Sequence, residues 1–319
     1  MPVHAFIFPG QGSQAPGMGR DLAATFSSAR EVFEAVDDTL KQKLSKLMFE
    51  GPAEELTLTE NAQPALMAHS LAVLRVLERE GKFQLADRAV VVAGHSLGEY
   101  SALAAAGSFT VPGAASLLRL RGQSMQKAVA PGEGSMAALL GAEMDAAIAI
   151  CAEAELAPDG TRQVIQPAND NGGGQVVISG HTAAIDRAIE IAKTRGIRRA
   201  MKLPVSAPFH CALMAPAADA MAAALAAAPP AIPVVPLIAN VSAAKVTDPA
   251  EITRMLVEQV TATVRWRESI AAMAAIGVDS FIELGSGKVL AGLVKRIMPD
   301  AAAQSAGNPA EIEALLKSL

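Results

Sequence analysis

Aromatic side chains are scarce in this chain: they make up 3% of its 319 residues, with a single tryptophan and a single tyrosine. Hydrophobic residues still reach 51%. Much of that fraction is alanine, so the core is expected to be aliphatic and helix-rich. Only two cysteines are present, Cys151 and Cys211. They make no disulfide framework and fit a reducing, cytoplasmic setting. Cys and His stand in no spacing that would hold a metal. Excess positive charge is also lacking. The formal net charge is −5, which argues against nucleic acid as the main partner. No apolar run approaches the ~18 residues of a membrane span, and the Ala-rich stretch 212–228 is interrupted by Pro216 and Asp219. The opening MPVHAFIFPG has no basic region followed by a long apolar one, so no secretory signal is expected.

What the chain does have is an alternation of short apolar strands with helical segments, the pattern of an α/β fold on a parallel sheet. Strands are expected at 5–8, 89–94, 236–240 and 280–284, and helices to about 47, over 64–80, from 97, over 113–129, 212–227 and about 249–275, with a C-terminal helix from Lys288. Between 132 and 202 the order changes to strand 136–141, helix 143–154, strands 164–169 and 175–180, helix 182–195 and strand 198–203. That β-α-β-β-α-β order is the split βαβ, ferredoxin-like pattern. The expected architecture is a large hydrolase-like α/β domain from 1–131 and 203–319 with an inserted ferredoxin-like subdomain at 132–202.

Gly94-His95-Ser96-Leu97-Gly98 fits G-x-S-x-G directly after an apolar strand and before a helix, the context a nucleophile elbow requires. The glycines allow a sharp reversal that exposes the serine hydroxyl, and the helix start offers free N–H groups where an oxyanion would form. The plainer alternative is a Gly-bounded turn in which Ser96 only caps the helix. A nucleophilic serine needs a base, and the chain has five histidines: His4, His69, His95, His181 and His210. His210 lies in a loop after a strand, where catalytic groups concentrate. His181 opens a helix after a strand and stays open as the second candidate.

Within the 113–129 segment, Ala114, Leu117, Leu118 and Met125 form one apolar stripe, and Arg121 falls in its middle. A guanidinium on an inward face needs an anion. Either an internal salt bridge or a bidentate grip on a substrate carboxylate would supply one. Paired with a nucleophilic serine, the second option suits an acyl group that carries a free acid.

PGQGSQ at 9–14, GHSLGEYSAL at 94–103, RG at 121–122, PFHCALM at 208–214 and GSGKVL at 285–290 together resemble the malonyl-CoA:acyl carrier protein transacylases. The match runs in order along essentially the whole chain. The acyltransferase domains of polyketide and animal fatty acid synthases share the pattern, and with no ketosynthase or carrier segment this chain looks like the free-standing type. The resemblance implies Ser96 as nucleophile, His210 as base, and a backbone carbonyl at Gln259 orienting that base. It implies backbone N–H groups of Gln11 and Leu97 as the oxyanion hole, Arg121 on the malonyl carboxylate, and Gln63 lining the same pocket. Asn169 and Asn171 would face the cleft. Phe209 resembles the bulky residue of enzymes that take malonyl rather than methylmalonyl units. The glycine run at 172–174 is looser than the family pattern. No metal or redox cofactor is implied, and a monomer is the expected state.

The resemblance also implies an acidic carrier protein as partner. The densest basic cluster is Lys193, Arg195, Arg198, Arg199 and Lys202, with a second group at Lys288, Lys295 and Arg296. These are either solvated faces or a docking surface, with Arg198 and Arg199 as the candidates. A serine hydrolase is the competing class, because Asp145, Asp159, Asp170 and Asp186 lie between Ser96 and His210, as a Ser–acid–His order needs. A carrier-binding module without catalysis would lack the nucleophile or the base, and both are present.

Overall fold

The computed structural model describes residues 2–319. Its strands are β1 (His4–Phe8), β2 (Ala89–Gly94), β3 (Gly134–Leu140), β4 (Ile165–Asp170), β5 (Gln175–His181), β6 (Arg199–Lys202), β7 (Leu237–Ile238), β8 (Lys245–Val246), β9 (Ser280–Leu284) and β10 (Ala302–Ala306). They form a six-stranded sheet in the order β10-β9-β1-β2-β7-β8 and a four-stranded sheet in the order β4-β5-β3-β6. The larger sheet is parallel throughout, apart from the antiparallel β7–β8 pair at one edge. An α/β fold carrying a second, antiparallel unit is the expected class.

Burial explains why β1 is central. Ala5, Phe6, Ile7 and Phe8 are all fully buried. Phe6 and Phe8 enter one apolar cluster, while Ala5 and Ile7 enter the cluster on the opposite face. Strand side chains alternate between faces, so a strand covered on both sides must be apolar at every position. The same alternation splits Val92 from Val91 and Ala93 in β2.

The smaller sheet is wholly antiparallel. Ala137, Leu139 and Ile178 pack against helices Met144–Ala154 and Thr182–Thr194 through Ile150, Ile185 and Ala188. Met136 and Val177 point the other way, into the main core. The edge of β4 is tied to the larger unit where Val264 N donates to Ala168 O and Asp170 N to Val264 O, each at 2.9 Å.

Three expectations need correction. The helix expected from 64 runs Thr59–Gly81 and carries Pro64 within it. A proline ring cannot donate to the helix ladder, which is why the sequence suggests a start there. The strand expected at 236–240 holds only Leu237–Ile238 and is followed by β8. Beyond Lys288 the chain does not end in one helix. It forms Val289–Ile297, then β10, then Pro309–Leu316. The β10 segment AAQSA has little β-propensity and is held as an edge strand by its parallel pairing with β9.

Candidate active site

The strand order reverses at β1, which has β2 on one side and β9 on the other. In open parallel sheets that reversal opens a crevice at the carboxyl ends of the strands. Here it contains the loop after β1 and the turn after β2. Ser96 adopts φ 54°, a strained left-handed conformation of the kind found at functional turns. Its flanking glycines are required by contact. A Cβ at Gly94 would lie 1.9 Å from the Gly98 carbonyl carbon, and one at Gly98 would lie 2.2 Å from Phe8 O.

Asn240, just beyond β7, clamps this turn. Its Oδ1 accepts from Ser96 N at 2.8 Å, and its Nδ2 donates to Gly94 O at 2.7 Å. The Ser96 amide is thereby taken. Among the described residues the Leu97 and Gln11 amides have no acceptor, and both residues line the same cavity of about 510 Å³. Two free N–H groups beside a serine hydroxyl can stabilise an oxyanion.

Ser96 Oγ donates to His210 Nε2 at 2.7 Å. His210 Nδ1 lies 2.8 Å from the main-chain carbonyl of Gln259. A carbonyl only accepts, so Nδ1 carries the proton and Nε2 presents its lone pair to the serine. His210 is buried. Desolvation, followed by the nearby Arg121 charge, lowers its pKa to about 3, so it is a neutral base throughout the physiological range. Of the other histidines, His181 Nδ1 accepts from Val164 N at 2.9 Å, His69 Nε2 donates to Gly307 O at 2.9 Å, and His4 pairs with Ser280. His210 is therefore the histidine brought to Ser96. Among the described residues no carboxylate orients it, which removes the Ser–acid–His arrangement: Asp170 pairs with Arg267 and Asp186 with Lys202.

Thr110 caps the Val111–Lys127 helix, its Oγ1 accepting from Gly113 N at 3.1 Å. The apolar stripe turns inward as expected and carries Arg121 to 1% exposure. A Cβ at Gly122 would meet Glu60 Cα at 2.6 Å, and this close approach sets Gln63 beside Arg121. Arg121 Nη1 donates to Gln63 Oε1 at 2.8 Å, and Nη2 to Gln259 Oε1 at 2.8 Å and to Ser96 Oγ at 3.2 Å. Its guanidinium also lies 5.7 Å from the Tyr100 ring. Among the described residues no carboxylate forms an ion pair with it, and its Nε is buried without a partner. A buried cation with no ion-pair partner and an unsatisfied Nε is a receptor for an anion.

Phe209, Asn169 and Asn171 line the same cavity. His95 Nε2 donates to Asn171 Oδ1 at 2.9 Å, which couples the elbow to the smaller unit. The 172–174 glycine run takes positive φ at all three positions and packs Gly172 and Gly173 against Ile297 and Arg296. In the basic cluster, Lys193, Arg195 and Lys202 are paired with Glu190, Glu153 and Asp186. Lys288 is paired with Glu311, Lys295 Nζ donates to Ala301 O, and Arg296 to Gln175. Arg198 and Arg199 are exposed and lead along β6 into Leu203, Pro204 and Val205 at the cavity wall.

Two further residues complete the site without having been singled out from sequence: Asn240 and Glu99. Glu99 Oε2 accepts from Gln259 Nε2 at 2.8 Å and from Asn240 N at 3.1 Å. Burial pushes its pKa up to about 7, against the opposing hydrogen bonds and Arg121. The available signal was local: the one charged residue of the helix Gly98–Ala105, three residues after Ser96, and an amide ending an apolar stretch. Among the described residues no group of His, Cys, Asp and Glu is arranged to hold a metal, and no helix is long and apolar enough to cross a membrane.

The acyl transferase domain family matches residues 5–312, and with this fold it defines the chain as an acyltransferase. The malonyl CoA-acyl carrier protein transacylase of Bacillus subtilis is 45% identical over 315 residues, covering 99% of this chain and 96% of its own. The acyl-carrier-protein S-malonyltransferase of Bartonella henselae is 54% identical, with a TM-score of 0.95 and 99% of both chains covered. A malonyl-transacylase solved in complex with a type II PKS acyl-carrier protein is 39% identical, with a TM-score of 0.94, covering 99% of this chain and 100% of that one. The chain belongs to the malonyl-CoA:acyl carrier protein transacylase family.

Proposed function

We propose that the chain moves a malonyl group from malonyl-CoA to the phosphopantetheine thiol of an acyl carrier protein, through a malonyl-Ser96 intermediate, in fatty acid or polyketide biosynthesis. The observation that carries this reading is the placing of Ser96 Oγ between His210 Nε2 at 2.7 Å and Arg121 Nη2 at 3.2 Å. His210 takes the hydroxyl proton as Oγ attacks the thioester carbonyl. The Gln11 and Leu97 N–H groups hold the oxyanion, each contributing roughly 3 kcal/mol in the transition state. As the C–S bond breaks, the imidazolium returns its proton to the leaving coenzyme A thiol. The carrier thiol then repeats the sequence in reverse on the malonyl ester, a ping-pong cycle in which His210 makes every proton transfer. The chain acts as a cytoplasmic monomer, and the crevice lies between the large unit, 1–131 with 203–319, and the smaller unit, 132–202. Intact-protein mass spectrometry after incubation with malonyl-CoA tests the reading: a single malonyl adduct is expected, and an unmodified protein would overturn it.

Arg121 explains the acyl preference. A malonyl group on Ser96 places its free carboxylate two carbons beyond Oγ, within reach of a guanidinium already touching that oxygen. Phe209 and Gln63 shape the same pocket, and the Phe209 ring crowds a methyl branch. Arg121→Ala should therefore lose roughly 3–5 kcal/mol of malonyl transfer, because the carboxylate is left buried and unpaired. Acetyl transfer should lose far less. Comparing kcat/KM for the two thioesters checks this, and equal losses would make Arg121 a structural residue.

Arg198 and Arg199 steer the acidic carrier toward the crevice. Arg198→Glu with Arg199→Glu should raise the carrier KM several-fold at low salt and flatten its salt dependence. Acylation by malonyl-CoA, which precedes the carrier, should hold. Unchanged carrier kinetics at low ionic strength would remove these arginines from the docking surface.

A further inference from the structure

Glu99 is 1% exposed and takes no part in the proton transfers above, yet it is tied to the residue that connects the whole site. Gln259 touches His210 through its main-chain carbonyl and Arg121 through its side chain. The two ends of its carboxamide face unlike neighbours. Oε1 accepts from Arg121 Nη2 at 2.8 Å, while Nε2 donates to Glu99 Oε2 at 2.8 Å and to Ser96 O at 3.0 Å. Turned end for end, the amide would set NH2 against guanidinium and carbonyl oxygen against carboxylate. Both are repulsive contacts in a water-free setting, where such errors cost most.

Glu99 is itself held. Oε2 also accepts from Asn240 N at 3.1 Å, at the end of the strand whose Asn240 side chain clamps the nucleophile turn. Its Oε1 is buried with no partner. That free oxygen can carry a proton without disturbing Oε2, so the acceptor facing Gln259 persists in either protonation state.

We propose that Glu99 is a positioning residue for acyl selectivity: by fixing the direction of the Gln259 carboxamide, it holds Arg121 aimed at the acyl group on Ser96. This rests on the reading of Arg121 as the holder of the acyl carboxylate. It adds a determinant outside the pocket wall, one that touches neither acyl group nor coenzyme.

The experiment measures Ser96 acylation by malonyl-CoA and by acetyl-CoA in Glu99→Leu, Glu99→Gln, Arg121→Ala and the Glu99→Leu/Arg121→Ala double variant. In Glu99→Leu the malonyl-to-acetyl rate ratio should fall about tenfold or more, since the amide loses its acceptor. Glu99→Gln keeps an acceptor oxygen at the same place and should restore the ratio to within about threefold. The double variant should have the ratio of Arg121→Ala alone, because residues acting through one another are not additive. An unchanged ratio in Glu99→Leu, or additive losses in the double variant, overturns the proposal while leaving the Arg121 reading intact if Arg121→Ala has lost its preference for malonyl-CoA. An Arg121→Ala protein that keeps the wild-type malonyl-to-acetyl ratio overturns that reading first, and this one with it. Should Glu99→Leu fail to fold, Glu99→Asp withdraws the acceptor by one methylene and is judged on the same ratio.

Discussion

The Ser96→Ala protein is expected to take up no malonyl group from malonyl-CoA while remaining folded. Removing Oγ deletes the only atom on which an acyl ester can form at the elbow. The hydrogen bonds it leaves behind are modest in consequence. Arg121 keeps its acceptors on Gln63 and Gln259, and His210 keeps the Gln259 carbonyl. The left-handed backbone at position 96 is equally awkward for alanine, so the strain is unchanged. Stability should therefore shift by about 1–2 kcal/mol at most, the usual range for a lost hydrogen-bond partner. Intact mass after malonyl-CoA treatment and the thermal midpoint are the two measurements. Normal labelling of the alanine protein would sink the assignment of Ser96.

His210→Ala should cost on the order of a thousandfold or more in acylation, because a neutral serine hydroxyl is a poor nucleophile without a base. His181→Ala should be nearly normal, since His181 Nδ1 is occupied by Val164 N on the smaller unit; the reverse ranking would mean the wrong base has been assigned. The pH dependence carries a further signature. With its pKa lowered to about 3 by burial and by Arg121, His210 stays unprotonated well below the ordinary histidine value. Acylation of the wild-type protein should hold between pH 7 and pH 5, where an unperturbed imidazole would lose most of its base form. The stability sign is the same: a histidine buried neutral favours the fold above its unfolded pKa, and that contribution is lost as pH falls toward about 3.

The residues legible from sequence are those whose role is local. The elbow could be read because a strand, two glycines, a serine and a helix are contiguous, and because the steric need for glycine at 94 acts over four residues, against Gly98. Arg121 could be read because helical periodicity alone puts it on the inward stripe. The β-α-β-β-α-β order was likewise legible, since strand and helix periods are written residue by residue. His210 was a candidate by its place in a loop after a strand, with His181 as the second; the choice between them, and Gln259, came from resemblance.

What the tertiary structure decided is which distant groups meet. Ser96 and His210 are 114 positions apart, and Ser96 and Gln259 are 163 apart. No local period records such a meeting, so His181 stayed a candidate until the sheet brought only His210 to the serine. Glu99 and Asn240 read as an ordinary helix acid and a strand-end amide; their contact across the turn makes them part of the site. The C-terminal β10 is held by pairing with β9 rather than by propensity, so its sequence AAQSA does not announce a strand. Sequence by itself determined most of the elements, the elbow and the inward cation. Only the folded chain decided which histidine meets Ser96, which carbonyl meets that histidine and what network lies beneath them, because those depend on hydrogen bonds between segments that the order of strands in the sheet brings together.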